Sequence, residues 1–558
     1  MTQRLEQPNA SKKYETRAVW VATIFGLDWP SRSRGRPAAE QKQELLGIFS
    51  DLGRQHFNTV YFQVRSRGNA LYKSSLEPWA LELTGHLGQD PGWDPLAVAV
   101  EAAHEQGMEI HGWFNVFKVW GGGNRVPRCK PLHVALAHPE WVKHVGDEIW
   151  IDPGIPEARQ YIVDVIVDCA NRYDLDGVHL DYIRYPGVSF NDRESFRRYG
   201  QGRNREEWRR QNISLFVQEL SRRLRETRPW MKIGAAPIGI YKNIEGVKGW
   251  QAYSAVYQDS RLWLREGWLD YLAPQIYWGL KSKGSRIDVA ALARDWFQNA
   301  AGRNVVAGLA AYKKNVANHL ERLIDTMRVV GLNGQSFFRY AFIRTNGFFK
   351  QRYAVRALPA RMSWMRLKPP PPVTFSVIRT GKGNRVEWKA PTGAQSIRWF
   401  VVYRGDGMKP DINDPRNIYR TFFRDRFQFL DTSGLDTHQY VVTSLSPSGL
   451  EGPPEEAIPV PVSTVAPLLA RVYHPALSIS LYPHGNILLV GYTLSERSHI
   501  NLRILGSDGR EIVTLVDEEK PPGIHVAGIA LDHLPVERMT LRLESGSFKA
   551  NRDFSFPD

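Results

Sequence analysis

From residue 16 to about residue 356 the chain repeats one pattern: a short apolar run with polar residues at alternate positions, then a stretch whose apolar residues return every third or fourth place. The first predicts a strand with two unlike faces, the second an amphipathic helix. Strands are expected at 17–24, 58–64, 108–116, 176–182, 231–237, 269–277, 304–310 and 335–342. Helices are expected between them at about 39–54, 95–106, 156–172, 206–227, 259–266, 287–301 and 317–330, with a short one after 346. Eight such units in succession predict an α/β architecture, a single closed parallel (β/α)8 barrel with its chemistry at the carboxyl ends of the strands. The loops after strands one to five are long, which is where such a barrel builds a site.

The period then changes. Leu367-Lys-Pro-Pro-Pro-Pro-Val373 cannot continue a helix and reads as a stiff linker. Between 373 and about 462 the chain turns to short strands, such as RVEWKA, IRWFVVYRG and QYVVTSLSPSG. Trp388, Tyr403 and Tyr440, with turn residues between them, make this stretch resemble a fibronectin type III sandwich with Trp388 in its core. A second Pro-rich segment, from Glu451 through Pro461, leads to a final all-β stretch near 474–558. There Gly491-Tyr-Thr-Leu-Ser and Asp508-Gly-Arg-Glu-Ile-Val resemble the immunoglobulin-like C-terminal modules of exported bacterial proteins. The expected organisation is therefore a TIM barrel at 14–366 followed by two all-β sandwich domains, at 367–462 and 463–558.

Strand four carries the most information. Val178 and Leu180 share one face, His179 and Asp181 share the other, and Pro186 forbids continuation. With the apolar face on the helices, Asp181 falls at the inner rim. The same parity turns Gln63 and Arg65 inward on strand two, His111 and Asn115 on strand three, and Gln275 and Tyr277 on strand six. A purely structural barrel would fill these positions with branched apolar side chains. His111 and His179 lie deeper and read as hydrogen-bonded interior histidines; Asp176, at the strand's base, reads as a turn or cap residue. Burying the Asp181 carboxylate costs several kcal/mol unless it is paired or used, and Arg184 or Arg65 could pair with it.

Composition narrows the class. A content of 42% hydrophobic residues with 18 Trp supports folded cores, and 558 residues exceed one core. The formal charge of +15 is spread along the chain without a helix-turn-helix, zinc-finger or RNP pattern, so nucleic acid is not the expected partner. Cys129 and Cys169 make no disulfide framework and have no metal-ligand spacing, so neither a metal nor a cofactor is expected. No apolar run reaches membrane-spanning length.

Six motifs in order then resemble a known family. They are Arg17-Ala-Val-Trp-Val-Ala-Thr with Gly26-Leu-Asp-Trp-Pro, Phe62-Gln-Val-Arg with Asn69-Ala-Leu-Tyr, His111-Gly-Trp-Phe-Asn, Ile151-Asp-Pro-Gly-Ile-Pro-Glu, Asp176-Gly-Val-His-Leu-Asp-Tyr and Ala273-Pro-Gln-Ile-Tyr-Trp. Over roughly residues 14–350 the chain resembles the glycosyl hydrolase-like 10 family of bacterial envelope proteins. The resemblance implies a TIM barrel, hydrolysis of a polysaccharide such as a peptidoglycan glycan strand, and export, with the signal not contained in this sequence. Many relatives carry a second Asp after the strand-four Asp, where this chain has Tyr182.

Glycosidic cleavage needs two carboxyl groups. Asp181 is the expected nucleophile or base. Asp152, in Trp150-Ile-Asp-Pro-Gly, is either the acid or a structural Asx turn ahead of Pro153, and Asp28 and Glu245 are further loop carboxyls. Gln63, Arg65, Asn115, Arg184, Gln275 and Tyr277 are expected to bind substrate, with Tyr182, Tyr185 and Trp278 as stacking faces. The competing expectation is a barrel that binds envelope polysaccharide without cutting it, the sandwiches serving as spacers or adhesion modules.

Overall fold

The computed structural model describes residues 12–454, apart from 32–34, 124, 281–286, 345–347, 366–367 and 392–395, and residues 480–554, apart from 485–486, 495–496, 522, 531–537 and 547. Met1–Ala457 and Ile458–Asp558 are two compact units. The N-terminal residues 1–11 and most of the second Pro-rich segment lie outside the described residues.

Eight parallel strands close into a barrel in chain order: β1 (Thr16–Val21), β2 (Thr59–Arg65), β3 (Glu109–Asn115), β4 (Gly177–Asp181), β5 (Lys232–Ala235), β6 (Tyr271–Leu272), β7 (Asn304–Leu309) and β8 (Gly334–Phe337). The register between β3 and β4 sets Trp113 against His179 and Asn115 against Asp181. Around the barrel run α1 (Ala38–Arg54), α2 (Pro95–Glu105), α3 (Pro156–Arg172), α4 (Arg205–Thr227), α5 (Ser260–Arg265), α6 (Val289–Gln298), α7 (Leu320–Val330) and α8 (Phe348–Arg352). Local chemistry explains their starts. Asp94 accepts a hydrogen bond from Ala97 N ahead of Pro95 at the first turn of α2, and Asn204 accepts from Glu206 N and Glu207 N at α4.

The outward residues Val60, Phe62, Val64, Ile110, Phe114, Val178 and Leu180 join the helices in one large apolar core. The interior is aromatic and polar, filled by Trp20, Tyr61, His111, Trp113, His179 and Tyr271. Two glycines make the room: a Cβ at Gly234 would lie 2.1 Å from the Tyr271 ring, and one at Gly308 would lie 3.1 Å from Trp20.

A directed hydrogen-bond chain joins these side chains. The Trp20 indole can only donate, and it does so to His179 Nε2 at 3.0 Å, which places the His179 proton on Nδ1. Nδ1 then donates to Tyr271 Oη at 3.0 Å, and Tyr271 donates to His111 Nδ1 at 2.8 Å. Both histidines are hydrogen-bonded interior groups. Burial, then the neighbouring His111, holds His179 well below the ordinary histidine pKa, so it is neutral.

The first sandwich is two three-stranded antiparallel sheets sharing a core of Phe375, Val386, Trp388, Phe400, Val402, Phe422, Tyr440 and Val442. Its second sheet is apolar on both faces. Trp399, Val401, Tyr403, Phe423, Val441 and Leu445 point away from the sandwich core and pack with Tyr14 and Leu358 at the amino-terminal base of the barrel. Polar anchors surround that patch. Glu451 accepts from Lys13 at 2.5 Å, Tyr403 at 2.5 Å and Thr443 at 2.6 Å. The His104 ring stacks on Phe423 with centroids 3.8 Å apart. A sheet with two apolar faces needs a partner on each, and the barrel base is the second partner of this one.

Asp176 is also more than a turn residue. It is 4% exposed and accepts from Arg398 of the sandwich at 2.7 Å, from His104 at 3.0 Å and from Ile110 N at 2.9 Å. The C-terminal unit has a three-stranded and a four-stranded antiparallel sheet over a core that includes Tyr492, Ile500, Leu502, Leu541 and Leu543. Among the described residues no helix is long and apolar enough to cross a membrane.

Candidate active site

Asp181 ends β4 at the carboxyl-terminal rim and is only partly exposed. Its Oδ1 accepts from Tyr182 N at 2.7 Å, and its backbone carbonyl accepts from Val116 N at 2.8 Å, tying it to the end of β3. Burial raises its pKa to about 6 against the lowering influence of the Tyr182 amide, Arg184, Lys118 and Trp113. The carboxyl is thus poised to exchange a proton near neutrality. Tyr182 stands at φ +49°, a left-handed conformation that a non-glycine residue holds only under surrounding constraint.

A small antiparallel sheet, formed by Lys118–Trp120, Val142–Val145 and Glu148–Ile151, rises from the loop after β3 and builds one wall of the site. Lys118 lies 5.1 Å from the Tyr182 ring centroid and pairs with Glu148, whose other oxygen accepts from Trp150 Nε1 at 2.8 Å. Arg184 sits among three rings, 5.1 Å from Trp150, 5.1 Å from Tyr182 and 5.3 Å from Trp250. Facing this wall, Tyr277, Tyr312 and Phe338 make an aromatic bowl, with Phe338 in ring contact with Trp113 on the floor. Burial and then the Asp181 charge push the Tyr277 hydroxyl well above its ordinary pKa, so it is a neutral donor.

The structure brings Asp181, Tyr182, Arg184 and Tyr277 together at this rim. Gln275, inward on the strand-six segment, and Trp278 are each partly exposed beside Tyr277. Other expected residues are committed to the protein. Arg65 is fully buried and bidentate on Glu77, at 2.9 and 2.7 Å, so it does not pair with Asp181. Gln63 accepts from Thr23 N at 3.0 Å and Ile24 N at 2.9 Å, fixing the first loop. Asn115 donates to Ser66 O at 2.8 Å. These three hold loops, and their polar atoms are not free for sugar hydroxyls. Tyr185 is 0% exposed, with its hydroxyl accepting from Asn212 at 3.2 Å, so it is a core residue and no stacking face.

Asp152 does form the Asx turn, accepting from Gly154 N at 2.8 Å, and its second oxygen accepts from Ser195 at 2.6 Å. Burial raises its pKa to about 6 as well. It faces a cavity of about 340 Å³ lined by Glu140, Glu194, Ser195 and Arg198, which none of the described rim residues around Asp181 lines. Asp28 is fully sequestered by Arg339 at 2.6 Å and by Ala22 N and Ala341 N, both at 2.8 Å. Glu245 is exposed on its loop.

Three contributors escaped the strand-parity argument, Lys118, Glu148 and Tyr312, while parity does turn Trp113 inward. The Trp113 indole Nε1–H is a telling floor group, because it is buried and its donor acts on the Asp181 carboxyl to lower its pKa. Its inward position comes from the same alternation that places His111 and Asn115; the approach of its donor to Asp181 does not.

A closed parallel barrel whose carboxyl-terminal rim holds a near-neutral carboxyl, two cations and a bowl of aromatic rings is a glycoside hydrolase-type scaffold. The chain belongs to the glycosyl hydrolase-like 10 family, whose profile matches residues 15–323. It is similar to glycosyl hydrolase YngK of Bacillus subtilis (strain 168), 31% identical over 436 residues that make 72% of this chain and 85% of that one. It is also similar to glycosyl hydrolase DigH of Escherichia coli (strain K12), 33% identical over 346 residues, 57% of this chain and 77% of that one. Among solved structures, the catalytic domain of β-amylase from Paenibacillus polymyxa aligns at 12% identity and a TM-score of 0.41, covering 60% of this chain and 94% of that one.

Proposed function

We propose that the chain is an exported glycoside hydrolase that cleaves a bacterial cell-wall or related envelope glycan at the carboxyl-terminal face of the barrel. The observation that carries this reading is the Asp181 carboxyl, half-buried at the rim between Tyr182, Arg184 and Tyr277, with its pKa raised to about 6. A carboxyl in that state protonates a leaving glycosidic oxygen and afterwards accepts a proton from water. Asp181 is therefore assigned the acid role first expected of Asp152. Glu148 is assigned as its partner, since it acts on the same Tyr182 and Arg184 that surround Asp181 and is oriented by Lys118 and Trp150. Tyr182, Tyr277, Tyr312 and Trp278 supply stacking faces for sugar rings, and Arg184 and Gln275 supply donors.

The test incubates the full chain, Asp181→Asn, Glu148→Gln and Asp152→Asn with purified glycan strands and measures new reducing ends. Asp181→Asn and Glu148→Gln lose activity, and Asp152→Asn keeps most of it. Tight glycan binding without product from the unmodified chain, across several polymers, replaces this reading with that of a non-catalytic binder.

A further inference from the structure

On the side of the molecule away from Asp181, where the barrel base meets the first sandwich, lies a cavity of about 390 Å³. His56 and Arg356 line it from the barrel side, and Arg404, Arg416, Asn417 and Tyr419 from the sandwich. Among the described residues no carboxylate lines it.

The charges of the three arginines are not equally balanced. Arg404 donates to Asp431 at 2.8 Å, a carboxylate that also accepts from Tyr419 and Tyr440, and Arg416 pairs with Asp414 at 2.5 Å. Arg356 is half-buried and has no ion pair among the described residues. Burial, then the like charges of Arg420 and Arg17, brings its pKa down to about 10, and it remains a cation at neutral pH. Arg17 brings no relief, since its own charge is matched by Glu15 at 2.9 Å. His56 is driven to about 4, by burial first and then by Arg356, so it adds a polar ring and no charge. A guanidinium withdrawn from water, repelled by its neighbours and facing a cavity without an acid is a charge in want of an anion.

We propose that this cavity binds an oxyanion of the phosphate class, gripped by Arg356 with Arg416 and Arg404 at its flanks. The planar guanidinium fork matches two oxygens of a tetrahedral anion, and charge-assisted bonds of this kind are stronger than neutral ones. Because the cavity is lined from both the barrel and the sandwich, the anion ties the two together, and its binding free energy adds to the stability of that junction. The site is independent of the glycosidase reading, and its test uses no activity.

The experiment titrates inorganic phosphate into the full chain and follows thermal unfolding, with sodium chloride at matched ionic strength as the reference. Phosphate is expected to raise the midpoint saturably beyond chloride. Arg416→Gln, on the exposed rim with its side chain 78% accessible, is expected to weaken the apparent Kd by about tenfold while leaving the fold intact. Arg356→Met is expected to abolish the phosphate effect and, in phosphate-free buffer, to be at least as stable as the unmodified chain, because it removes an uncompensated charge. Equal rises with chloride, or an undiminished phosphate effect in Arg356→Met or Arg416→Gln, overturn the site. So does a loss of stability of Arg356→Met in phosphate-free buffer. A poly(glycerol phosphate) chain that competes with phosphate identifies a polymer-borne group as the ligand, and failure to compete identifies the free ion; both outcomes keep the anion site.

Discussion

Arg398 and Asp176 meet at 2.7 Å across 222 positions of chain, with side chains only 2% and 3% exposed. Asp176 immediately precedes β4, the strand that Asp181 closes, and Arg398 belongs to the sandwich. The base of the candidate catalytic strand is thus held by a residue from the neighbouring domain.

Removing Arg398 leaves Asp176 buried with only His104 and a backbone amide for partners. Arg398→Ala is expected to destabilise the Met1–Ala457 unit by about 3–5 kcal/mol, the usual result of stranding one member of a buried pair. Urea denaturation of the full chain measures it; a loss below about 1 kcal/mol would contradict an anchoring role. The pH dependence has a definite sign. Burial raises the Asp176 pKa, but Arg398 and His104 outweigh it and hold the carboxyl below its ordinary value. Its contribution is therefore complete above about pH 4 and is lost as the pH falls below that.

Asp181 has the opposite linkage. With its folded pKa raised to about 6, the native state binds a proton more tightly than the unfolded chain, so stability falls as the pH rises toward 6. Asp181→Asn abolishes that dependence and is expected to be more stable than the unmodified chain at pH 8, by about 1–3 kcal/mol. The same substitution is expected to lower glycan cleavage by about 10²–10⁴-fold. Parallel denaturation curves at pH 5 and pH 8 check the first statement, and reducing-end release checks the second.

Trp113 offers a buried indole N–H that lowers the Asp181 pKa. Trp113→Phe keeps most of the ring's packing and deletes only that donor. The alkaline limb of the pH–rate profile is expected to move to higher pH; a limb that stays in place means the donor serves the substrate instead.

His179 joins Trp20 to Tyr271 inside the barrel. His179→Leu leaves a buried indole N–H without its acceptor and a phenol without one of its partners. The expected cost is about 1–3 kcal/mol for the unsatisfied groups, read from chemical denaturation. An unchanged midpoint would show that the chain of hydrogen bonds is dispensable.

Much of the barrel is legible in the residue pattern because period and parity are local properties. The alternation Val178, His179, Leu180, Asp181 places the carboxyl on the inner face whatever the rest of the chain does. Parity could not say how an inward side chain spends its hydrogen bonds. Gln63, Arg65 and Asn115 face inward as their positions require, yet each turns to a nearby loop or to Glu77, because a buried polar atom takes whichever partner the folded loops bring within reach. The wall sheet escaped for a related reason: Lys118 and Glu148 are 30 positions apart and meet only when the excursion folds back on itself.

The amino-acid sequence by itself determined the order of eight strand–helix units, the all-β character of the chain beyond the Pro-rich linker and the rim position of Asp181, since each depends on neighbours a few residues away. Tertiary structure alone decided that Asp176 is anchored by Arg398, that Asp152 caps a turn beside its own cavity, and that Arg356 has no counter-charge among the described residues. Those outcomes rest on which distant groups share a low-dielectric space, and burial makes their charges strong enough to matter.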